Sequence, residues 1–197
     1  MNIPTPEEVT ALLAAIDPRD PFAGRDQGML TLACHTGLRV SELVGLDVSS
    51  VSLEGTPRNA LHVVGKGSHG RTIPLNQSAR QAVRDILGFN ARRGFSTAPE
   101  APLFVTRKHE RVSVRLVQRL IVTLRERAGL DVPVTPHSLR HRFATTICQT
   151  TGNLRVVQKL LGHRRLTTVE VYTHPTRADL ELAVATLVPE KGGTPCA

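Results

Sequence analysis

Aromatic side chains are scarce in this chain of 197 residues, which has no tryptophan, five phenylalanines and a single tyrosine, Tyr172. The apolar residues near that tyrosine, in the stretch L-G-H-R-R-L-T-T-V-E-V-Y-T-H from Leu161 to His174, are aliphatic, so packing makes no obvious demand for a ring. His163, Arg164, Arg165 and His174 beside it are basic. A lone surface tyrosine and a phenol kept for its chemistry are both open from that window. Cysteine is also sparse. Cys34, Cys148 and Cys196 are odd in number and far apart, two of them in apolar helical segments, which argues against a disulfide framework and a zinc ribbon. No apolar run reaches the ~20 residues that span a bilayer, and no basic-then-apolar leader precedes the first helix. The chain therefore reads as cytoplasmic, without a membrane partner. Acidic residues are outnumbered, 17 Asp and Glu against 25 Lys and Arg, for a formal charge of +8. That excess favours a polyanionic partner, although a ribosomal or membrane-surface protein would share it.

What the chain does have is helical periodicity. T-P-E-E from Thr5 is a capped helix start, carried through Val9, Leu12, Leu13 and Ile16 to a stop at Asp17-Pro18. A second helix is expected from about Pro21 to His35, ending at Gly37, and a third over Leu38–Leu46. Two β-type runs follow, Ala60-Leu-His-Val-Val and Arg71-Thr-Ile-Pro-Leu, joined as a hairpin by Gly65-Lys-Gly-Ser-His-Gly with Lys66 in its loop. Further helices are expected at about Gln77–Phe89, Val112–Ala128, His137–Thr150, Leu154–Leu161, Thr168–His174 and Arg177–Leu187, with a weak strand at Leu103–Thr106. Phe95–Pro102 is a loop of small residues, and 189–197 a mobile tail. The fold class is mainly α (α+β) with one small antiparallel sheet.

Several placements are unusual. In H-T-G-L-R-V-S-E-L, a cap at Thr36 would put Arg39 in the first helical turn, where the dipole disfavours a cation by ~0.3–1 kcal/mol, so an anion is expected to offset it. The pairing of Arg39 with Glu42 is one way to do so. T-P-H-S-L-R-H repeats the situation, with Thr135 as cap, Pro136 at the first helical position, and His137 and Arg140 three apart on one face. A helix N-terminus with Arg and His is a phosphate site. His137 and His141 could ligate zinc by spacing, but the intervening Ser-Leu-Arg lacks a carboxylate and Arg140 repels a cation, so no metal is assigned. Gly65-Lys66 is not a P-loop, because Ala60 and Gly67 stand where glycine and Ser or Thr are required. Taken alone, Lys66 reads as a solvated hairpin lysine.

Arg39, Lys66, His137, Arg140, His163 and Tyr172 occur in an order and spacing that resembles the catalytic domain of the tyrosine recombinases, the phage integrase family, of Xer-like type. The motifs are T-G-L-R-V-S-E-L, G-K-G-S-H-G-R-T-I-P-L, H-S-L-R-H, and L-G-H followed nine residues later by Tyr172. The resemblance implies a catalytic domain over 1–188, a tail over 189–197, and the absence of the N-terminal core-binding domain that closes on the other face of DNA. It implies site-specific cutting and rejoining of double-stranded DNA through a 3′-phosphotyrosyl intermediate and a Holliday junction, with no cofactor. Tyr172 would be the nucleophile, His137 its general base and acid, Arg39 and Arg140 the clamp on the phosphate oxygens, and His163 a further donor. Lys66 would be the acid for the leaving oxygen. Glu42 is accessory, orienting the Arg39 region.

The same resemblance implies a monomer without DNA and a homotetramer or heterotetramer on synapsed DNA, in a cytoplasmic, nucleoid-associated setting. Arg111, Arg115 and Arg119, at four-residue intervals, together with Arg164 and Arg165, are DNA-binding candidates, although such spacing also describes a solvated face. Two other classes use similar residues: a type IB topoisomerase, against which the Xer-like spacing argues, and a helical DNA-binding module without catalysis.

Overall fold

Thr5 opens the first helix as the motif requires. In the computed structural model, which describes residues 3–64 and 70–162, its hydroxyl accepts the Glu8 amide and the Glu8 carboxylate accepts the Thr5 amide. Helix α1 (Pro6–Ala14) follows and packs Leu12 into the core. Helix α2 (Ala23–Thr36) ends where Gly37 turns left-handed at φ 60°. The helix expected over Leu38–Leu46 is the short α3 (Val40–Val44), and after Gly45-Leu-Asp comes a second short helix that was not anticipated, α4 (Val48–Val51). A small hairpin that the sequence reading did not anticipate comes next, β1 (Ser52–Leu53) and β2 (Thr56–Pro57), turned by Glu54 and Gly55, both at positive φ.

The anticipated hairpin is present as β3 (Ala60–Val64) and β4 (Gly70–Pro74), antiparallel with Leu61 opposite Ile73 and Val63 opposite Arg71. Strand alternation puts Leu61, Val63, Arg71 and Ile73 on one face. The three aliphatic residues among them are buried, so that face belongs to the core.

Helix α5 (Gln77–Arg92), capped by Asn76, lies along α2, where a side chain on Gly28 would come within 2.3 Å of Ile86. Phe22, Phe89 and Phe95 form a separate cluster beside this pair, with Arg25 stacked 4.5 Å over the Phe22 ring. The Phe95–Pro102 loop is irregular as expected, though its first residue is buried in that cluster. Leu103–Thr106 is not a strand. Leu103 and Phe104 are both fully buried, and the segment pairs only through isolated bridges, Pro102 with Asp47 and Val105 with Arg111, so no ladder forms there.

Helices α6 (Val114–Arg127), α7 (Pro136–Thr151) and α8 (Leu154–Leu161) complete the described chain. Ala144, Cys148, Val157 and Leu161 join α7 to α8 in a small core of their own. Lys66, His163, Arg164, Arg165, Tyr172, the expected helices Thr168–His174 and Arg177–Leu187, and the tail lie outside the described residues. No described helix is long and apolar enough to cross a membrane.

Candidate active site

Gly37 makes the first part of the site possible. Its φ of 60° suits glycine, and a Cβ there would sit 2.3 Å from the Phe143 ring, so α2 both stops and packs closely on α7 at this residue. Thr36 is therefore not a cap, contrary to the sequence expectation; it is the last residue of α2, and its hydroxyl donates to the Leu32 carbonyl at 2.5 Å. Two residues after the glycine break, Arg39 itself is the extended N-cap of α3. Its backbone amide donates to Glu42 Oε2 at 2.7 Å, and its guanidinium Nη1 donates to Glu42 Oε1 at 3.0 Å. The anion expected near Arg39 is thus supplied within the chain by Glu42, while the arginine side chain stays 45% exposed.

Glu42 is the hub of the cluster. Arg71, from β4, grips both its oxygens with Nη1 and Nη2 at 2.8 and 2.7 Å, and Arg140 Nη1 lies 3.9 Å from Oε2. Burial pushes the Glu42 carboxyl up, but the Arg71 fork, the Arg39 amide and the surrounding positive charge outweigh it and hold the group at about 2. Glu42 is therefore an anion at neutral pH.

Arg140 is almost wholly buried on α7. Its Nη1 donates to the Gly37 carbonyl at 2.6 Å and its Nη2 to the Leu161 carbonyl at 2.7 Å, linking the α2–α3 junction to the end of α8. Arg71 does a parallel job, since its Nε donates to the Leu160 carbonyl at 2.8 Å. Two arginines from different motifs therefore hold consecutive carbonyls of the turn that leads into His163. Gly162, left-handed at φ 66°, closes that turn against the Arg71 stem.

His137 sits one helical turn before Arg140. Thr135 caps α7 by accepting the Ser138 amide at 3.0 Å, and the Ser138 hydroxyl accepts the Thr135 amide at 2.8 Å. This leaves His137 exposed at the helix start, edge-on to the buried His141 ring at 5.0 Å. Burial lowers the His141 pKa, with the neighbouring His137 and Arg140 adding to the effect. Among the described residues no third imidazole, thiolate or carboxylate completes a metal-binding group with these two.

The structure thus brings Arg39, Glu42 and Arg140 together and sets His137 above Arg140 on α7; Lys66, His163 and Tyr172 fall in segments that are not described. Arg71 was not singled out from the sequence. The signal was available, because Arg71, Ile73 and Leu75 alternate on the inward side of a strand, and a charge at an inward position needs a partner. Arg115 and Arg119 are exposed on α6. Arg111 is not in register with them, because α6 begins at Val114; it instead caps the carbonyls of Val44 and Leu46 at 3.1 and 2.9 Å and pairs with Asp47.

An apolar groove of about 460 Å³ opens between α1, α2, β4, α7 and α8, lined by residues including Val9, Ile73, Phe143, Ile147 and Leu160. Cys34 also lines it, and burial pushes that thiol up to about 12.

A helical domain with a small hairpin sheet, built so that an arginine at one helix start meets a second arginine beneath an exposed histidine, has the fold of tyrosine recombinase catalytic domains. The chain belongs to the phage integrase family, whose profile matches residues 3–179. It is similar to tyrosine recombinase XerD of Halalkalibacterium halodurans, 37% identical over 173 residues that make up 88% of this chain and 57% of the relative. It is also similar to tyrosine recombinase XerC of Salmonella typhi, 40% identical over 168 residues, 85% of this chain and 54% of the relative. The chain spans a little over half the length of these relatives. Among solved structures, the XerA recombinase superposes with a TM-score of 0.73 at 28% identity, covering 94% of this chain and 65% of that one. The XerH site-specific recombinase gives 0.75 at 24% identity, covering 94% and 55%.

Proposed function

We propose that this chain is the strand-cleaving half of a site-specific DNA recombinase. The observation that carries the reading is the meeting of Arg39 and Arg140 around one buried carboxylate, on a chain whose relatives are named tyrosine recombinases. Tyr172 Oη attacks a backbone phosphorus of duplex DNA, forming a 3′-phosphotyrosyl bond as the bond from phosphorus to the 5′ oxygen breaks. A phenol with an ordinary pKa of ~10 needs a proton acceptor, and His137, exposed at the start of α7, takes that proton. Lys66 returns a proton to the departing 5′ oxygen. Arg39 and Arg140 neutralise the non-bridging oxygens, and His163 adds a donor there. Attack by another strand's 5′ hydroxyl reverses these steps, and exchange passes through a Holliday junction.

Exposed Arg115 and Arg119, with Arg164 and Arg165, contribute phosphate contacts along the duplex. The chain is a monomer without DNA and joins a homotetramer or heterotetramer on synapsed DNA.

The test is incubation with a nicked suicide duplex followed by denaturing electrophoresis. A covalent protein–DNA adduct is expected from the wild type and none from Tyr172→Phe, which keeps the ring and loses the nucleophile. Because two arginines stand where many phosphoryl-transfer enzymes place a divalent cation, the adduct is expected to persist in excess EDTA. An adduct undiminished in Tyr172→Phe, or strict dependence on Mg²⁺, overturns the reading.

A further inference from the structure

Arg71 is the one arginine of the cluster to which the proposed chemistry assigns no task, yet it makes three of the cluster's hydrogen bonds. Its side chain is 8% exposed, and three of its donors are committed: two to Glu42 and one to the Leu160 carbonyl. The stem is pinned as well, since a Cβ on Gly162 would lie 3.0 Å from its Cδ. It is also the second residue of β4, immediately after the segment 65–69 that carries Lys66.

The charge balance of the cluster explains what such an arginine does. One carboxylate, Glu42, is shared among three guanidiniums, at 2.7 and 2.8 Å from Arg71, 3.0 Å from Arg39 and 3.9 Å from Arg140. A buried carboxylate cannot remain uncompensated, and with Arg71 gone its nearest cations among the described residues are Arg39, already bonded at 3.0 Å, and Arg140 at 3.9 Å. Glu42 would then close the 3.9 Å gap and draw Arg140 away from the scissile phosphate, while Arg39 is held to the carboxylate more tightly. The bidentate fork of Arg71 matches the carboxylate plane, a geometry that lysine cannot reproduce.

We propose that Arg71 is a positioning residue for strand cleavage: by holding Glu42 in a two-pronged ion pair, and the end of α8 by the Leu160 carbonyl, it keeps the carboxylate that Arg39 already touches from closing on Arg140 as well. The inference rests on the function proposed above. It differs from a packing role in one respect: removing the negative charge of Glu42 restores activity to a chain that lacks Arg71.

The experiment compares wild type, Arg71→Met, Arg71→Lys and the double variant Arg71→Met with Glu42→Gln. Adduct formation is followed at saturating suicide duplex, at a temperature where circular dichroism shows each chain folded, and affinity is measured separately. Arg71→Met is expected to cleave at least about thirtyfold more slowly, with affinity changed less than about threefold, the pattern of an interaction needed in the transition state. The double variant is expected to recover at least about tenfold of that loss, a coupling that only interacting residues show. Arg71→Lys, which keeps the charge and loses the fork, falls between.

Normal cleavage by Arg71→Met, or a double variant no faster than the single, overturns the proposal. If Arg71→Met does not fold, Arg71→Lys decides: its full activity, or its own failure to fold, makes Arg71 a residue of the fold and overturns the proposal too. A wild type without adduct removes the proposed function and the role of Arg71 with it, whereas a normal wild-type adduct beside an indifferent Arg71→Met removes only the latter.

Discussion

Glu42 carries more of the site than its place three residues after Arg39 suggests. With its carboxyl held at about 2, it contributes to stability above the ordinary glutamate range near pH 4.5 and loses that contribution as pH falls towards 2. The sign follows from the folded state binding fewer protons than the unfolded state in that window. Urea denaturation at intervals from pH 5 to pH 2.5 is therefore expected to show a steep loss for the wild type and a shallower one for Glu42→Gln. At pH 7, Glu42→Ala leaves Arg71 buried and unpaired, and is expected to cost ~3–5 kcal/mol, the range for breaking a buried pair. Residue by residue, Arg39, His137 and Arg140 were legible because each breaks a local rule, a cation or an imidazole beside a helix start. Arg71 was harder to see, because its anomaly exists only once β4 is known to face inward and its partners lie 29 and 89 residues away in sequence.

The elements were legible wherever a cap marks them. Thr5, Asn76, Thr135 and Asn153 each accept an amide at the start of their helix, and Gly37, Gly152 and Gly162 end theirs in the left-handed conformation. Short elements were missed, as with α4 after its cap Asp47 and the hairpin β1–β2, and a strand was expected at Leu103–Thr106 where only isolated bridges form. Gly37 is the element boundary on which the site depends. Gly37→Ala adds a left-handed alanine, at ~1–2 kcal/mol, to a methyl group driven into the Phe143 ring, at a further ~1–3 kcal/mol. A total loss of about 2–5 kcal/mol is expected in urea denaturation, and cleavage is expected to fall with it, since Arg140 holds the carbonyl of that residue.

For the whole molecule, the class of fold was readable from helical periodicity interrupted by one hairpin, and the family from four motifs in order. Of the ion-pair hub only the local Arg39–Glu42 pair was readable; its junction with β4 and α7 was not, because no local pattern encodes that Arg71 and Arg140 meet the same carboxylate. The excess of positive charge sets how the molecule is expected to meet the DNA proposed above as its partner. Binding is expected to weaken steeply with salt, and Arg115→Ala with Arg119→Ala, which takes the formal charge from +8 to +6 (8 − 2), is expected to flatten the log–log slope by about two, near 0.9 per lost phosphate contact. An unchanged slope in fluorescence anisotropy titrations would return those arginines to a solvated surface.

Two hydrogen bonds of Arg140 bear on when the proposed site is assembled during synthesis. One reaches back 103 residues to Gly37, and the other reaches ahead 21 residues to Leu161. Contacts so distant in sequence close late, after local helices have formed, because the loop entropy must be met before any of them is made. A nascent chain that has emerged only as far as α7 holds Arg39, Glu42 and Arg71 but has no carbonyl at Leu160 or Leu161 for its arginines to grip. The ends of the clamp are thus fastened only once α8 has emerged, so the arrangement proposed to hold the phosphate cannot form on a chain that stops at α7.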